Sequence, residues 1–167
     1  MIDTRKGMAL GFAACAGGLV FAYYLQYWHG LEPCPMCIFQ RVAMAAAGLV
    51  FLLGAIHAPR TLGRRIYALL AALCSSVGAA IAGRHVWLQS LPADQVPACG
   101  PPLDHLMQVL PFMEVISFIL RGEGSCAKIA ASFLGLSIPA WTLMAFVAIA
   151  LWALLLIRLP ANGDAVN

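Results

Sequence analysis

The sequence has little charge. Only 10% of its 167 residues are Asp, Glu, Lys or Arg, whereas 62% are hydrophobic. An average soluble domain has about 25% charged residues and about 45–50% apolar residues, so this chain lacks the polar surface of a water-soluble globule. Its hydrophobicity also excludes a disordered chain, and its net charge of only +3 argues against a nucleic-acid partner. The composition therefore indicates a small integral membrane protein.

Four stretches contain no charged residue at all: residues 7–31, 42–59, 66–83 and 129–157. Each reaches the roughly 18 residues that are needed to cross a hydrocarbon core about 30 Å thick. Because backbone groups in lipid must satisfy their own hydrogen bonds, these stretches are predicted to be helices. Flanking aromatic residues and prolines place the helices near residues 8–27, 38–57, 66–86 and 139–159. The predicted fold is an all-α integral membrane protein, a single domain built as a four-transmembrane-helix bundle.

The basic residues predict the orientation of this bundle. Six of the ten fall on one side of the predicted helices: Arg5, Lys6, Arg60, Arg64, Arg65 and Arg158. The positive-inside rule makes that side cytoplasmic, so both termini are predicted to be cytoplasmic and two loops, near residues 28–37 and 87–138, face outward. The apolar run over residues 110–120 is too short to span and predicts a short interfacial helix. A cleaved signal peptide is an alternative for the first helix, but its apolar stretch exceeds the usual 7–15 residues.

The six cysteines separate by compartment. Two lie inside predicted helices, where an unpaired cysteine commonly packs as a small apolar residue: Cys15 and Cys74. Four lie on the outward side: Cys34, Cys37, Cys99 and Cys126. Disulfides form and persist in the periplasm, so an even number of outward cysteines suggests two pairs, with three possible connectivities. The C-x-x-C pair of Cys34 and Cys37 is close enough to close on itself, which would leave Cys99 to pair with Cys126.

Three interpretations of these outward cysteines are open. A C-x-x-C at a helix N-terminus is typical of a redox centre, because this position favours the thiolate. Alternatively, two bridges merely brace the loops. Four cysteines can also bind zinc, but a closed structural zinc site needs two facing knuckles, and Cys99 and Cys126 form none. We therefore predict redox-active cysteines and no metal site.

Two further side chains lie near the C-x-x-C in the predicted topology. Pro35 is suited to the first turn of the second helix, and Arg41 follows Cys37 by four residues, on the same face and about one turn deeper. An arginine inside a membrane helix is costly and predicts a function, here the stabilisation of a thiolate or of a carbonyl oxygen on a lipid-soluble acceptor. Alternatively, Arg41 extends to the headgroups. His85, near the outer end of the third helix, could bind a ligand or pass a proton, or be an interfacial histidine without a special role.

Together these residues resemble a known family. The motif Pro33-Cys34-Pro35-Met36-Cys37 is followed by Gln40-Arg41, the segment from His85 to Gln89 leads to Cys99, and Cys126 precedes Phe133-Leu134-Gly135-Leu136. With the four predicted helices, this pattern is similar to the bacterial disulfide bond formation protein B (DsbB) family over almost the whole chain.

The resemblance implies an enzyme of the bacterial inner membrane whose site faces the periplasm. Such an enzyme reoxidises a periplasmic DsbA-type thiol oxidase and passes the electrons to ubiquinone or menaquinone from the membrane pool. It implies catalytic roles for Cys34, Cys37, Cys99 and Cys126, and places Cys37, Arg41 and His85 at the quinone. The partner thiolate would attack Cys99, the released Cys126 would attack Cys34, and Cys37 would be left as a thiolate.

Two alternatives to this function follow from the same features. A vitamin K epoxide reductase-like enzyme also combines a helical bundle with a C-x-x-C, but there the loop pair precedes the C-x-x-C, whereas here it follows. A disulfide-braced membrane subunit or small transporter is the non-enzymatic alternative. Against a transporter, no predicted span carries a buried acidic residue or a broken helix pair.

Overall fold

The computed structural model describes residues 4–58, 61–92, 94–98, 103–122, 124–129 and 131–158. The helices in these ranges are α1 (Thr4–His29), α2 (Pro35–His57), α3 (Thr61–Gln89), α4 (Leu103–Val109), α5 (Phe112–Arg121), α6 (Gly124–Ala127) and α7 (Ile138–Arg158). In this part of the chain α1, α2, α3 and α7 are long and apolar enough to cross a membrane, with mean hydropathies between 1.7 and 2.4. The predicted fold class, an all-α bundle of four membrane helices, is confirmed.

The helix ends differ from the predicted ones by several residues. α1 continues through His29 and α3 through Gln89, so both loops begin later than predicted. The prediction ended these helices at interfacial aromatic residues, but such residues mark the membrane boundary rather than the end of a helix. α2 begins at Pro35, three residues before the predicted start. The predicted end of the last helix, residue 159, lies outside the described residues.

Small residues allow the spanning helices to approach closely. α3 packs along both α2 and α7, and α1 packs along α2. Phe51 and Phe146 are fully buried in the shared core, and each ring lies against a glycine of a neighbouring helix: Gly11 faces Phe51, and Gly78 faces Phe146. Lipid removes the hydrophobic driving force between helices, so such contacts stabilise the bundle through van der Waals packing.

Gly78→Ala should destabilise the bundle by about 1–3 kcal/mol, the usual cost of overpacking. A Cβ at this position would overlap the buried ring of Phe146. Gly83→Ala on the same helix is the matched control, because a Cβ there meets nothing within 4 Å. The control should gain about 0.5–1 kcal/mol from helix propensity. Unfolding midpoints of both variants in the same detergent test this, and equal shifts would contradict the close approach of α3 and α7.

The short helices cover one end of the bundle, which we call the loop end: the end where α1 ends, α2 begins and α3 ends. α5 corresponds to the predicted interfacial helix. Val115 and Ile119 on α5 are each 2% exposed and pack with Met36 and Leu88 of the bundle. Met113 remains 73% exposed. The helix therefore rests on the bundle with one face and leaves apolar surface on another, whereas the sequence predicted only contact with the outer leaflet.

A small hairpin that was not predicted leads into α7. β1 (Ser132–Phe133) pairs antiparallel with β2 (Leu136–Ser137). Its turn places Leu134 at φ 51° and Gly135 at φ 78°, the left-handed pair that tight hairpins require. The Nε1–H of Trp141 donates to the carbonyl oxygen of Phe133 at 3.0 Å, which ties the hairpin to the first turn of α7.

Candidate redox site at the loop end

The C-x-x-C lies where α2 begins. Cys34 is the N-cap residue with an extended backbone (φ −66°, ψ 163°), and Pro35 opens the first turn, where its missing N–H costs no hydrogen bond. Cys37 therefore lies in the first turn, near the unpaired N–H groups and the positive end of the helix dipole. The two Sγ atoms are 3.2 Å apart and both side chains are half-buried. The pair is in its dithiol form, within a small movement of the roughly 2.05 Å of an S–S bond.

His85 lies against this pair from α3. Its Nε2 is 3.8 Å from Sγ of Cys34 and its Nδ1 is 4.0 Å from Sγ of Cys37. The carbonyl oxygen of Cys126 lies 3.0 Å from Nε2 and can only accept, so Nε2 carries a proton and donates it. The amide nitrogen of Gln40 lies 3.2 Å from Nδ1 and donates to it. Since His85 is only 2% exposed, these contacts define a buried imidazole whose Nδ1 faces Cys37.

The segment around Cys126 is held beside the same histidine. Cys126 lies on α6 and is 1% exposed, packed with Met36 and Leu88. The backbone N–H of Gly124 donates to the carbonyl oxygen of Ala98 at 3.3 Å. The residue that follows Ala98 is Cys99, which itself lies outside the described residues. The chain leading into Cys99 therefore runs next to the chain leading into Cys126.

Arg41 lies one turn beyond Cys37 on α2, and its side chain points toward α1. Its Nη1 donates to Oε1 of Gln26, and its Nη2 donates to the carbonyl oxygen of Ala22 at 3.1 Å. The guanidinium carbon lies 4.9 Å from the ring centroid of Tyr23, a cation–π contact. The side chains and backbone of α1 therefore provide the hydrogen-bond and cation–π partners that an arginine inside a membrane helix needs.

A cleft of about 350 Å³ lies between α1 and α2 next to Arg41. It is mostly apolar, and its lining consists of Leu19, Tyr23, Gln26, Pro33, Ile38, Arg41, Val42 and Ala45. Tyr23 and Val42 are 47% and 62% exposed, so the cleft is open at the surface that lipid would cover. One of the lining residues, Ile38, directly follows Cys37 in the sequence. His85 is not part of this lining.

The structure thus brings together Cys34, Cys37, His85 and the backbone of Cys126, whereas the guanidinium of Arg41, one turn further along α2, binds α1. No role was predicted for Gln40 or Gln26 from the sequence. Each is a polar residue in an otherwise apolar helix, and Gln40 follows Cys37 by three residues, a spacing that puts both on one side of α2. The feature of the sequence that could have identified Gln40 is this polar side chain in an otherwise apolar helix.

The same residues could also hold a metal ion. One ligand atom from each of Cys34, Cys37 and His85 lies within 4.8 Å of the others.

Four spanning helices with a dithiol at one end define a membrane protein of the thiol–disulfide class. The family model described as "Disulfide bond formation protein DsbB" matches residues 4–156. The chain is 53% identical over 160 residues to disulfide bond formation protein B of Hahella chejuensis, covering 95% of this chain and 97% of that protein. It is 52% identical over 151 residues to the protein of that name from Chromohalobacter salexigens, covering 90% and 88%.

The chain therefore belongs to the DsbB family, as its motifs predicted. It is a membrane protein of disulfide bond formation with the role of a disulfide-forming oxidoreductase. This assignment favours that role over the vitamin K epoxide reductase-like alternative.

Proposed function

We propose that this protein reoxidises a periplasmic DsbA-type thiol oxidase and passes the electrons to a membrane quinone. The observation that carries the proposal is the position of Cys34 and Cys37 between two different surroundings. On one side His85 links the pair to the Cys126 segment. Toward α1, the next turn of α2 presents Arg41 to an apolar cleft. A dithiol in this position is within reach of both a loop disulfide and a lipid-soluble acceptor.

The quinone would occupy the cleft between α1 and α2. Its volume of about 350 Å³ lies in the usual range for small-molecule sites, which are mostly apolar with a few polar groups that fix orientation. Tyr23 offers a ring face, and Arg41 offers N–H donors suited to a carbonyl oxygen. A bound quinone would supply an acceptor for two electrons and two protons. Ubiquinone and menaquinone both meet this description.

The thiol chemistry of the chain proceeds by two exchanges. A thiolate of the reduced partner attacks Sγ of Cys99 in a Cys99–Cys126 disulfide, forming a mixed disulfide and releasing Cys126 as a thiolate. The partner's second thiolate then attacks its own sulfur in the mixed disulfide and releases Cys99. The roles of Cys99 and Cys126 here follow the family resemblance, and the hydrogen bond between Gly124 and Ala98 supports their pairing.

The second exchange uses the loop end. The Cys126 thiolate attacks Sγ of Cys34 in a Cys34–Cys37 disulfide, and Cys37 leaves as a thiolate. His85 supports this step because its Nε2–H holds the Cys126 backbone at 3.0 Å and lies 3.8 Å from Sγ of Cys34. Cys99 then attacks Cys126 and re-forms the loop bridge, leaving Cys34 and Cys37 reduced. Nδ1 of His85, 4.0 Å from Sγ of Cys37, is placed to take a thiol proton when that pair is reoxidised.

The energetics explain why a strong electron acceptor is needed. DsbA has a reduction potential near −120 mV, whereas structural disulfides usually lie below about −300 mV. For a two-electron couple each 30 mV corresponds to about 1.4 kcal/mol, so an ordinary disulfide would be unfavourable as an oxidant of DsbA by about 8 kcal/mol. A pair of cysteines at the lipid boundary overcomes this unfavourable free energy if the quinone pool removes its electrons.

The location that we propose is the bacterial inner membrane, with the loop end facing the periplasm. Arg5 and Lys6 at one end of α1, and Arg64 and Arg65 at the start of α3, lie at the end of the bundle opposite Cys34. This distribution supports cytoplasmic termini by the positive-inside rule.

Reconstitution tests the proposal. The purified protein in lipid vesicles, given reduced DsbA and ubiquinone, should oxidise DsbA over many turnovers, and omission of the quinone should limit oxidation to about one DsbA per disulfide carried. Free thiols are counted by a colorimetric reagent, and quinone reduction by ultraviolet absorbance. A protein whose bridges only brace its loops would show no quinone-dependent oxidation, which would contradict the proposal.

A further inference from the structure

Cys34, Cys37 and His85 form a set of metal ligands as well as a redox site. Both sulfurs and an imidazole nitrogen lie within 4.8 Å of one another. In a tetrahedral zinc site with Zn–S near 2.3 Å and Zn–N near 2.05 Å, neighbouring sulfurs are about 3.8 Å apart and sulfur and nitrogen about 3.6 Å apart. The observed separations are 3.2 Å between the sulfurs and 4.0 Å between Sγ of Cys37 and Nδ1. The whole set lies within 4.8 Å, so movements of up to about 1.2 Å would convert the dithiol into a metal site.

The surroundings of His85 resemble those of a metal-bound histidine. Such a histidine usually donates its second ring N–H to a carbonyl or carboxylate, which fixes the tautomer and turns the other nitrogen toward the metal. Here Nε2–H donates to the carbonyl oxygen of Cys126 at 3.0 Å, and Nδ1 carries the lone pair on the side of Cys37. The Gln40 amide that now donates to Nδ1 at 3.2 Å would have to turn away.

We propose that the reduced form of this protein binds one thiophilic d10 cation, Zn²⁺ or Cd²⁺, through Sγ of Cys34, Sγ of Cys37 and Nδ1 of His85. Binding forms two metal–thiolate bonds and one metal–imidazole bond and releases the two thiol protons to solvent, with no change in oxidation state. Water completes the fourth position. The disulfide form has no thiolates and does not bind the ion, so metal binding and reoxidation of the pair exclude each other.

A cadmium titration tests this site. The full-length chain with Cys99→Ser and Cys126→Ser, reduced and held in detergent, leaves Cys34 and Cys37 as the thiols of the loop end. Added Cd²⁺ should produce a sulfur-to-cadmium charge-transfer band in the ultraviolet that saturates at one ion per chain. Oxidation of Cys34 and Cys37 to the disulfide should abolish the band. A band of equal size in the oxidised protein would assign the ion to other thiols and overturn the proposal.

Two measurements test whether His85 is a ligand of the metal ion. His85→Ala should weaken Cd²⁺ binding about a hundredfold or more, because even the loss of a group behind a ligand costs about 10–100-fold. His57→Ala is the matched control, since His57 lies at the far end of α2, and it should leave the affinity unchanged. X-ray absorption of the zinc form with His85 intact should show two sulfurs near 2.3 Å and an imidazole nitrogen near 2.05 Å. A shell without imidazole, or equal affinity in His85→Ala, would overturn the site.

The binding rests only on the dithiol and the histidine, whereas its effect on turnover rests on the proposed function. In vesicles, Zn²⁺ should inhibit quinone-dependent DsbA oxidation, and a chelator should restore it. A protein that binds Cd²⁺ but never oxidises DsbA would contradict the proposed function and leave the metal site standing.

Discussion

Cys37→Ser should reduce quinone-dependent oxidation of DsbA at least ~10³-fold, to the uncatalysed background, as expected when a reacting group is removed. Serine has nearly the size of cysteine, so it fits the first turn of α2, but it forms no disulfide and stays un-ionised at neutral pH. In this variant Cys34 keeps its thiol beside His85, yet no thiolate can leave when Cys126 attacks. The initial rate of DsbA oxidation in vesicles measures the loss.

Cys74→Ser is the matched control for this variant. Cys74 is also a half-buried cysteine in a spanning helix, but it lies in the middle of α3, away from the loop end. It should retain activity within about twofold. Substantial turnover in Cys37→Ser would contradict the proposed route of electrons, whereas equal losses in both variants would indicate a general effect on folding.

Arg41→Met should lower kcat/KM for quinone about 10²-fold, in line with the loss of a donor that stabilises developing negative charge. Methionine keeps much of the length but leaves Oε1 of Gln26 and the carbonyl oxygen of Ala22 without their donor. Arg41→Lys should retain more activity, with a loss of about tenfold, because it keeps the charge but not the planar fork that spans two acceptors.

The control for Arg41 is Arg65→Met. Arg65 is exposed at the start of α3, at the opposite end of the bundle, and its substitution should leave kcat/KM for quinone unchanged. The stoichiometric oxidation of DsbA in the absence of quinone, about one DsbA per disulfide carried, should survive in Arg41→Met, because the thiol exchanges do not involve this residue. If kcat/KM in Arg41→Met stays within twofold of the unaltered protein, Arg41 has no role at the quinone.

The membrane helices were predictable because the signal is simple. Long stretches without charge can satisfy their backbone in lipid only as helices, and four such stretches specify the bundle. The helix ends were less predictable, since Trp28 and Trp87 mark the membrane interface while the helices continue past it. The hairpin at Leu134 and Gly135 could not be anticipated, because Leu-Gly is not among the dipeptides that favour such turns.

Those parts of the candidate site that depend on spacing along one helix were predictable. Those that depend on how one helix is rotated against another were not. Cys34, Cys37 and Arg41 lie on one helix, so their separations follow from its geometry. The contact of His85 with Gln40 and with the Cys126 backbone depends on how α3 is rotated against α2 and where the loop returns. For the same reason the sequence grouped Arg41 with His85, whereas in the structure the guanidinium of Arg41 binds α1 and is not among the contacts of the imidazole.

One turn of α3 binds the segment between α3 and α7 at two points. Arg84 binds the carbonyl oxygens of Leu120 and Arg121, at 3.3 and 3.0 Å, and the next residue, His85, binds that of Cys126. Both contacts come from neighbouring residues of α3, so one helical turn holds the carbonyl end of α5 and the backbone of Cys126. A displacement of α3 at this turn would therefore shift the end of α5, the Cys126 backbone and the imidazole beside the dithiol together.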